Sequence, residues 1–167
     1  MKNLCVERIF EAVYKKLSGD LYNFLYYKYG NHDEIADVVQ ESFVKLWQNC
    51  KKVLPEKARG FLFKVAKNQM LNKFKHDKVV LNYQQKVTDK VEHRNPEYLL
   101  EEAQFYQKYQ QALGKLTDEQ RVAFLLNKVE GKKHKEIAEM LNVTQKVVEY
   151  RIYSAFKIIK KEIQELK

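Results

Sequence analysis

Lys146, Glu149, Tyr150, Tyr153, Ser154 and Lys157 succeed one another in steps of one and three. Wound into an α-helix, that spacing gathers ammonium donors, a carboxylate, a hydroxyl and two phenol rings on one side. Such a set is suited to reading rather than to bond-making. Donors and acceptors meet base edges in a DNA major groove, and lysines meet phosphates. The alternative is an ordinary solvated face of a helical bundle. Catalysis has little to stand on, because Gly19, Gly30, Gly60, Gly114 and Gly131 build no phosphate-binding loop and no Ser or Cys lies in a nucleophile motif. His32, His76, His93 and His134 show no metal-ligand spacing with Cys5 or Cys50. No cofactor and no metal site are therefore expected.

The residues around this face meet the demands of a helix-turn-helix. The first helix of such a motif needs a small inner residue, the turn a residue tolerant of left-handed backbone, and the second helix branched apolar anchors. Ala138 lies between Ile137 and Leu141, and Asn142 takes the turn, asparagine being the most tolerant choice after glycine. Val143 plugs the core and Thr144 is placed to cap the second helix. Val148, Ile152, Ala155 and Ile159 then form its inner stripe, which leaves Lys146, Glu149, Tyr150, Tyr153, Lys157 and Lys160 outside. Arg151 sits at the rim, where an intramolecular ion pair is favoured slightly over a base contact.

Elements able to position this motif run along the whole chain. Only five glycines and two prolines interrupt 167 residues, and apolar spacing of three and four predicts an all-α chain. One helix is expected over 31–49, with Ala36, Val39, Phe43, Leu46 and Trp47 inside and Asp37, Gln40, Glu41 and Lys45 turned elsewhere. Pro55 breaks a basic loop carrying Lys51, Lys52, Lys57 and Arg59. The next helix, 59–75, places Leu62, Val65, Ala66, Gln69 and Leu71 near its inner side and Lys67, Asn68, Asn72, Lys73 and Lys75 on or near another. Residues 77–96 have no sustained period and read as a linker. A helix over 97–113 ends at Gly114. Another, capped by Thr117 and Gln120 and stopped by Gly131, has Val122, Leu125, Leu126 and Val129 as its apolar face. The expected organisation is two small helical domains, 1–77 and 99–167, joined by a linker over 78–98.

Composition agrees with a soluble phosphate-binding protein. The net charge of +9 is divided as +6 over residues 1–80, −2 over 81–105 and +5 over 106–167, two basic modules around a mildly acidic connector. No apolar run approaches the roughly 20 residues of a membrane-spanning helix. The opening "MKNLCVERIF" carries charge inside its only apolar patch, unlike a secretory signal. A cytoplasmic protein without membrane insertion is expected, and in that compartment Cys5 and Cys50 are expected as reduced thiols.

"DEIADVVQESFVKLW", then "ARGFLFKVAKNQMLNKFK", then a linker and "LTDEQRVAFLLNKVEGKKHKEIAEMLNVTQKVVEYRIYSAF" closely resemble the extracytoplasmic-function (ECF) sigma factors of bacterial RNA polymerase, members of the sigma-70 family. The resemblance spans roughly residues 5–76 and 100–163. It implies that the first module binds core RNA polymerase through Asp37, Gln40 and Glu41 and captures the −10 promoter element through Lys67, Asn68, Asn72, Lys73 and Lys75. The second would read the −35 duplex through Lys146, Glu149, Tyr150, Tyr153, Ser154 and Lys157. Also implied are promoter melting, a flipped −10 base held by the loop before the 59–75 helix, a linker directed to the RNA exit path, and an anti-sigma factor as partner. The sequence departs from many relatives at Phe61 (Trp), Lys67 (Arg), Asn72 (Asp), Lys133 (Ser or Thr) and Val147 (Thr). Without the resemblance, Asp37, Gln40 and Glu41 read as a solvated face. A helix-turn-helix regulator acting as a homodimer on half-sites about 34–36 Å apart is the competing reading.

Overall fold

The computed structural model describes residues 3–30, 32–73 and 96–164. These form two compact units, Met1–Val80 and Leu81–Lys167. Among the described residues there are α-helices and one 3-10 turn but no strand.

The first unit holds α1 (Glu7–Tyr29), α2 (Ile35–Gln48) and α3 (Ala58–Lys73), each packed on the other two. α1 has no counterpart among the expected helices, although Leu17, Leu21, Phe24 and Leu25 recur at helical spacing and all four are buried. The inner face of α2 is Ile35, Val38, Val39, Ser42, Phe43 and Leu46. Ala36, expected inside, is exposed, because the larger, β-branched Ile35, Val38 and Val39 claim the buried arc. Phe43 is a core anchor as expected, meeting Tyr14 with ring centroids 4.8 Å apart. Trp47 is only half an anchor. Its ring edge packs on Phe10 at 5.0 Å while 43% of its surface stays exposed.

Within α3, Leu62, Ala66 and Gln69 are buried as expected, joined by Phe63, which meets Phe24 of α1 at 5.0 Å, and by Met70. Leu71 points outward. Lys73 Nζ reaches Glu34 Oε2 at 3.2 Å and so fastens the end of α3 to the start of α2.

The second unit is organised around its last helix. It comprises α4 (Pro96–Lys115), α5 (Asp118–Lys128), α6 (His134–Leu141) and α7 (Gln145–Gln164), and α4, α5 and α6 all pack on α7. α4 opens at Pro96, inside the expected linker, since a residue lacking N–H suits a first helical position. It continues through Gly114, which does not stop it; Lys115 Nζ bonds Glu162 of α7 at 2.7 Å. Partial burial, with the neighbouring Tyr106, holds the Tyr109 phenol above its ordinary pKa. The capping box at α5 forms as expected: Thr117 Oγ1 accepts from the Gln120 N–H at 3.2 Å and Gln120 Oε1 from the Thr117 N–H at 3.1 Å. Gly131, expected as the stop, lies at φ 67° within the connection to α6, after α5 has already ended at Lys128. Val129 is exposed because it lies past the last turn of the helix. Arg121 is buried, its guanidinium bonded to Asp118 at 2.7 Å.

Cys5 and Cys50, expected as separate thiols, form a disulfide with Cα atoms 5.0 Å apart. Packing of α1 on α2 returns the segment before α1 to the end of α2, a proximity that 45 residues of separation conceal in the sequence. In the chain-entropy picture a cross-link over 45 residues stabilises by up to about 4 kcal/mol. Reduction, or the Cys5→Ala and Cys50→Ala pair, is expected to lower the unfolding free energy of the first unit by about 2–4 kcal/mol. Urea unfolding with and without reductant, followed by tryptophan fluorescence, measures this directly, because Trp47 is the chain's single tryptophan.

Candidate nucleic-acid interface

The turn of the helix-turn-helix is built as the residue types require. Asn142 adopts φ 54°, ψ 49°, the left-handed region, and its N–H and that of Val143 both bond the Ala138 carbonyl. Ile137 and Ala138 are buried; Val143 is only partly so. At the start of α6 the Lys133 N–H donates to Glu136 Oε2 at 2.7 Å, but lysine has no acceptor to offer in return. Only one arm of a capping box exists there. Thr144 caps α7 by accepting from the Val147 N–H at 3.3 Å.

Val148, Ile152, Ala155 and Ile159 are all buried, so the opposite side of α7 must face water. Tyr150 is 72% exposed and Tyr153 62%, with Lys146, Glu149 and Lys157 exposed beside them. Lys157 Nζ lies 5.2 Å from the Tyr153 ring centroid, a cation–π approach that presents charge and ring together. Glu149 lies 3.7 Å from His134 Nδ1, so an acceptor on α7 neighbours the first residue of α6.

Ser154 is placed differently from the other five. Its hydroxyl donates to the Tyr150 carbonyl at 2.8 Å and accepts from Gln120 Nε2 at 3.1 Å. Arg151 pairs with Glu119 at 3.2 Å, as its rim position suggests. Through Ser154 and Arg151, α7 is held to the first turn of α5. Between these two helix starts lies a recess lined by Thr117, Glu119, Gln120, Lys146, Val147, Tyr150 and Arg151. Phe156, absent from the periodicity reading, is half exposed on α7.

In the first unit, Asp37, Gln40 and Glu41 are all exposed on α2. Val44 continues that stripe one turn on and is 53% exposed, an apolar member that acid-and-amide reasoning overlooked. Its signal was the spacing of 37, 40, 41 and 44. On α3, Lys67, Asn68 and Asn72 are exposed on one side, joined by Lys64 and Leu71. Lys73 is exposed but engaged by Glu34, and Lys75 lies outside the described residues, as do linker residues 78–95. Among the described residues no cluster of His, Cys, Asp and Glu suits a metal ion, and no helix is long and apolar enough to cross a membrane.

Gln69 adds an anomaly on the inner side of α3. It is 9% exposed, and neither its amide oxygen nor its nitrogen has a hydrogen-bond partner. An unmet buried amide costs about 1–3 kcal/mol. Gln69→Met, similar in volume and free of that demand, is expected to raise the unfolding free energy by about 1 kcal/mol or more. A lower denaturation midpoint would show that the amide meets a partner in solution.

Residues 13–79 match the Sigma-70 region 2 family and residues 106–159 match Sigma-70, region 4. The chain is similar to the ECF RNA polymerase sigma factor SigE of Mycolicibacterium smegmatis, 26% identical over 136 residues, which are 80% of this chain and 53% of that protein. It is similar also to the ECF RNA polymerase sigma factor SigW of Bacillus subtilis, 24% identical over 87% of this chain and 84% of that one. The chain thus spans about half the length of SigE and most of SigW. Two solved structures share its fold. CnrH, in complex with the cytosolic domain of CnrY, superposes with TM-score 0.58 and 21% identity over 95% of this chain and 90% of that one. RpoE from Bartonella quintana, in complex with the anti-sigma factor NepR, gives 0.54 and 17% over 93% and 96%.

Proposed function

The chain belongs to the sigma-70 family, in its ECF type, and on that premise we propose that it binds core bacterial RNA polymerase, recognises −35 and −10 promoter elements and promotes melting and initiation at a specific set of promoters. The family is one of transcription initiation factors rather than enzymes. The observation that carries the proposal is the pairing, in order, of a region 2 unit with a region 4 unit. That pairing favours a sigma factor over a homodimeric regulator, whose first module would instead join two copies or sense a ligand.

Each part of the proposal rests on a face with matching chemistry. Residues 1–77 form the polymerase and −10 module and 99–167 the −35 module, with 78–98 between them. The stripe of Asp37, Gln40 and Glu41 offers carboxylates and an amide for charge-assisted bonds to a basic helical partner on the polymerase, and Val44 adds apolar contact. Lys67, Asn68 and Asn72, with Lys64 and Leu71, present cations, amides and an apolar surface to unstacked bases and their backbone. Lys73 and Lys75 complete this set, Lys73 by trading Glu34 for a phosphate. On α7, Lys146, Glu149, Tyr150 and Tyr153 read base edges and Lys157 a phosphate, while Ser154 acts by holding the helix against α5. An anti-sigma factor covers such faces in the unstimulated cell, as NepR binds RpoE, and the exposed Leu99, Leu100 and Phe105 of α4 offer it apolar area. Because polymerase and promoter are its partners, the protein acts in the cytoplasm.

Transcription with core polymerase on a fragment library tests the role and returns the promoter consensus. Selective start sites are expected, and initiation no more selective than that of core enzyme alone overturns the proposal. Asp37→Ala with Gln40→Ala is expected to weaken co-purification with core enzyme by about tenfold or more. Thermal unfolding should be unchanged, since both side chains face water. Tyr150→Ala or Glu149→Ala should alter base preference at one or two −35 positions by about 1–3 kcal/mol. Binding titrations on single-position promoter variants measure this, and a uniform loss across all sequences would reassign both residues to positioning.

A further inference from the structure

The Cys5–Cys50 disulfide is unusual for a protein that works beside RNA polymerase, because reducing pools in the cytoplasm keep most thiols free and the disulfides that form there are mainly transient or sensing ones. Its position is equally pointed. Cys50 lies two residues past the end of α2 and directly before Lys51 and Lys52, which open the basic loop leading to α3. Cys5 lies two residues before α1, beside Leu4, which is fully buried and anchors that segment. The bond therefore pins the first residues of the basic loop to an anchored piece of chain. Once it opens, only short-range bonds retain the loop: Asn49 N–H to the Lys45 and Leu46 carbonyls, Cys50 N–H to Trp47, Lys52 and Val53 N–H to Asn49, and the Asn49 side chain to Lys45. Both cysteines are partly exposed, so an outside thiol can reach them.

We propose that Cys5 and Cys50 form a reversible thiol–disulfide exchange site, taking low-molecular-weight disulfides as oxidant and dithiols as reductant, and that closing the bond preorganises the basic loop for the melted −10 strand. In oxidation the Cys5 thiolate attacks a disulfide RSSR and expels one thiol. Cys50 then displaces the second, so that two protons and two electrons leave the pair for two RSH. In reduction one thiol of the dithiol attacks the bond to form a mixed disulfide and its second thiol resolves it, so that the pair regains two protons and two electrons and the dithiol leaves as its own disulfide. The closed form is the more active, because a loop already held in its binding conformation loses less freedom when it captures single-stranded DNA.

The consequence for transcription rests on the function proposed above; the consequence for the loop does not. The full chain is equilibrated in a series of glutathione ratios, alkylated and weighed. Conversion of the pair between a dithiol and an intramolecular disulfide is expected. Hydrogen exchange over residues 49–57 is expected to quicken on reduction, and unchanged protection would refute the device whether or not the chain initiates transcription. With core polymerase and a cognate promoter, the oxidised form should open the −10 region about threefold to tenfold more than the reduced form. Cys5→Ala and Cys50→Ala should be insensitive to reductant, which separates the effect from any thiol on the polymerase. Cys50→Ala should in addition trap glutathione on Cys5. Equal opening by both redox forms overturns the link to melting while leaving the sigma function intact. Failure of both forms to initiate counts against the sigma function, and the exchange data then decide the redox site.

Discussion

Everything in the second unit depends on the burial of one stripe, Val148, Ile152, Ala155 and Ile159. Three helices pack on α7, and its buried residues are confined to this one stripe. Once that stripe is committed inward, the angular position of Tyr150, Tyr153 and Lys157 is no longer adjustable. The Gln120 side chain completes the constraint, because its amide oxygen closes the α5 cap while its nitrogen reaches Ser154. Orientation of the exposed face is thus a by-product of apolar packing and one bridging amide. The face itself contributes little to holding the fold.

The first unit solves a different problem with the same means. α2 buries six residues and keeps an acid-and-amide stripe outside, and α3 buries its own set while showing lysines and asparagines. Glu34 and Lys73 tie the start of α2 to the end of α3. Both partners are substantially exposed, so the pair is worth at most about 1 kcal/mol and is readily given up.

Much of this was legible in residue types. The helical class, the Thr117 cap, the left-handed Asn142 and the inner stripe of α7 each follow from local rules, because each involves residues within one or two turns of one another. The matched sigma-70 regions likewise follow from motifs that persist along the chain. What escaped was set by partners distant in sequence or by arcs of similar hydrophobicity. Ala36 and Leu71 have apolar side chains, yet neighbours at adjacent angles outcompete them for the core. The Cys5–Cys50 bond needed the packing of α1 on α2, and the orphaned amide of Gln69 needed the whole of its surroundings. Ser154 looked like part of the reading face from spacing alone and became a brace only when α5 was in place. Lys75 and most of the linker lie outside the described residues.

The outward side of α7 has almost no stake in the stability of the fold. Substitutions of exposed helix residues away from caps and bridges usually change stability by no more than about half a kcal/mol. Lys146, Tyr150 and Tyr153 are therefore free to drift, whereas the left-handed turn at Asn142 tolerates few alternatives. Under the proposed −35 role of this face, a lineage carrying the scaffold can explore new promoter vocabularies through single point changes, each duplicate gene remaining foldable while its target set diverges.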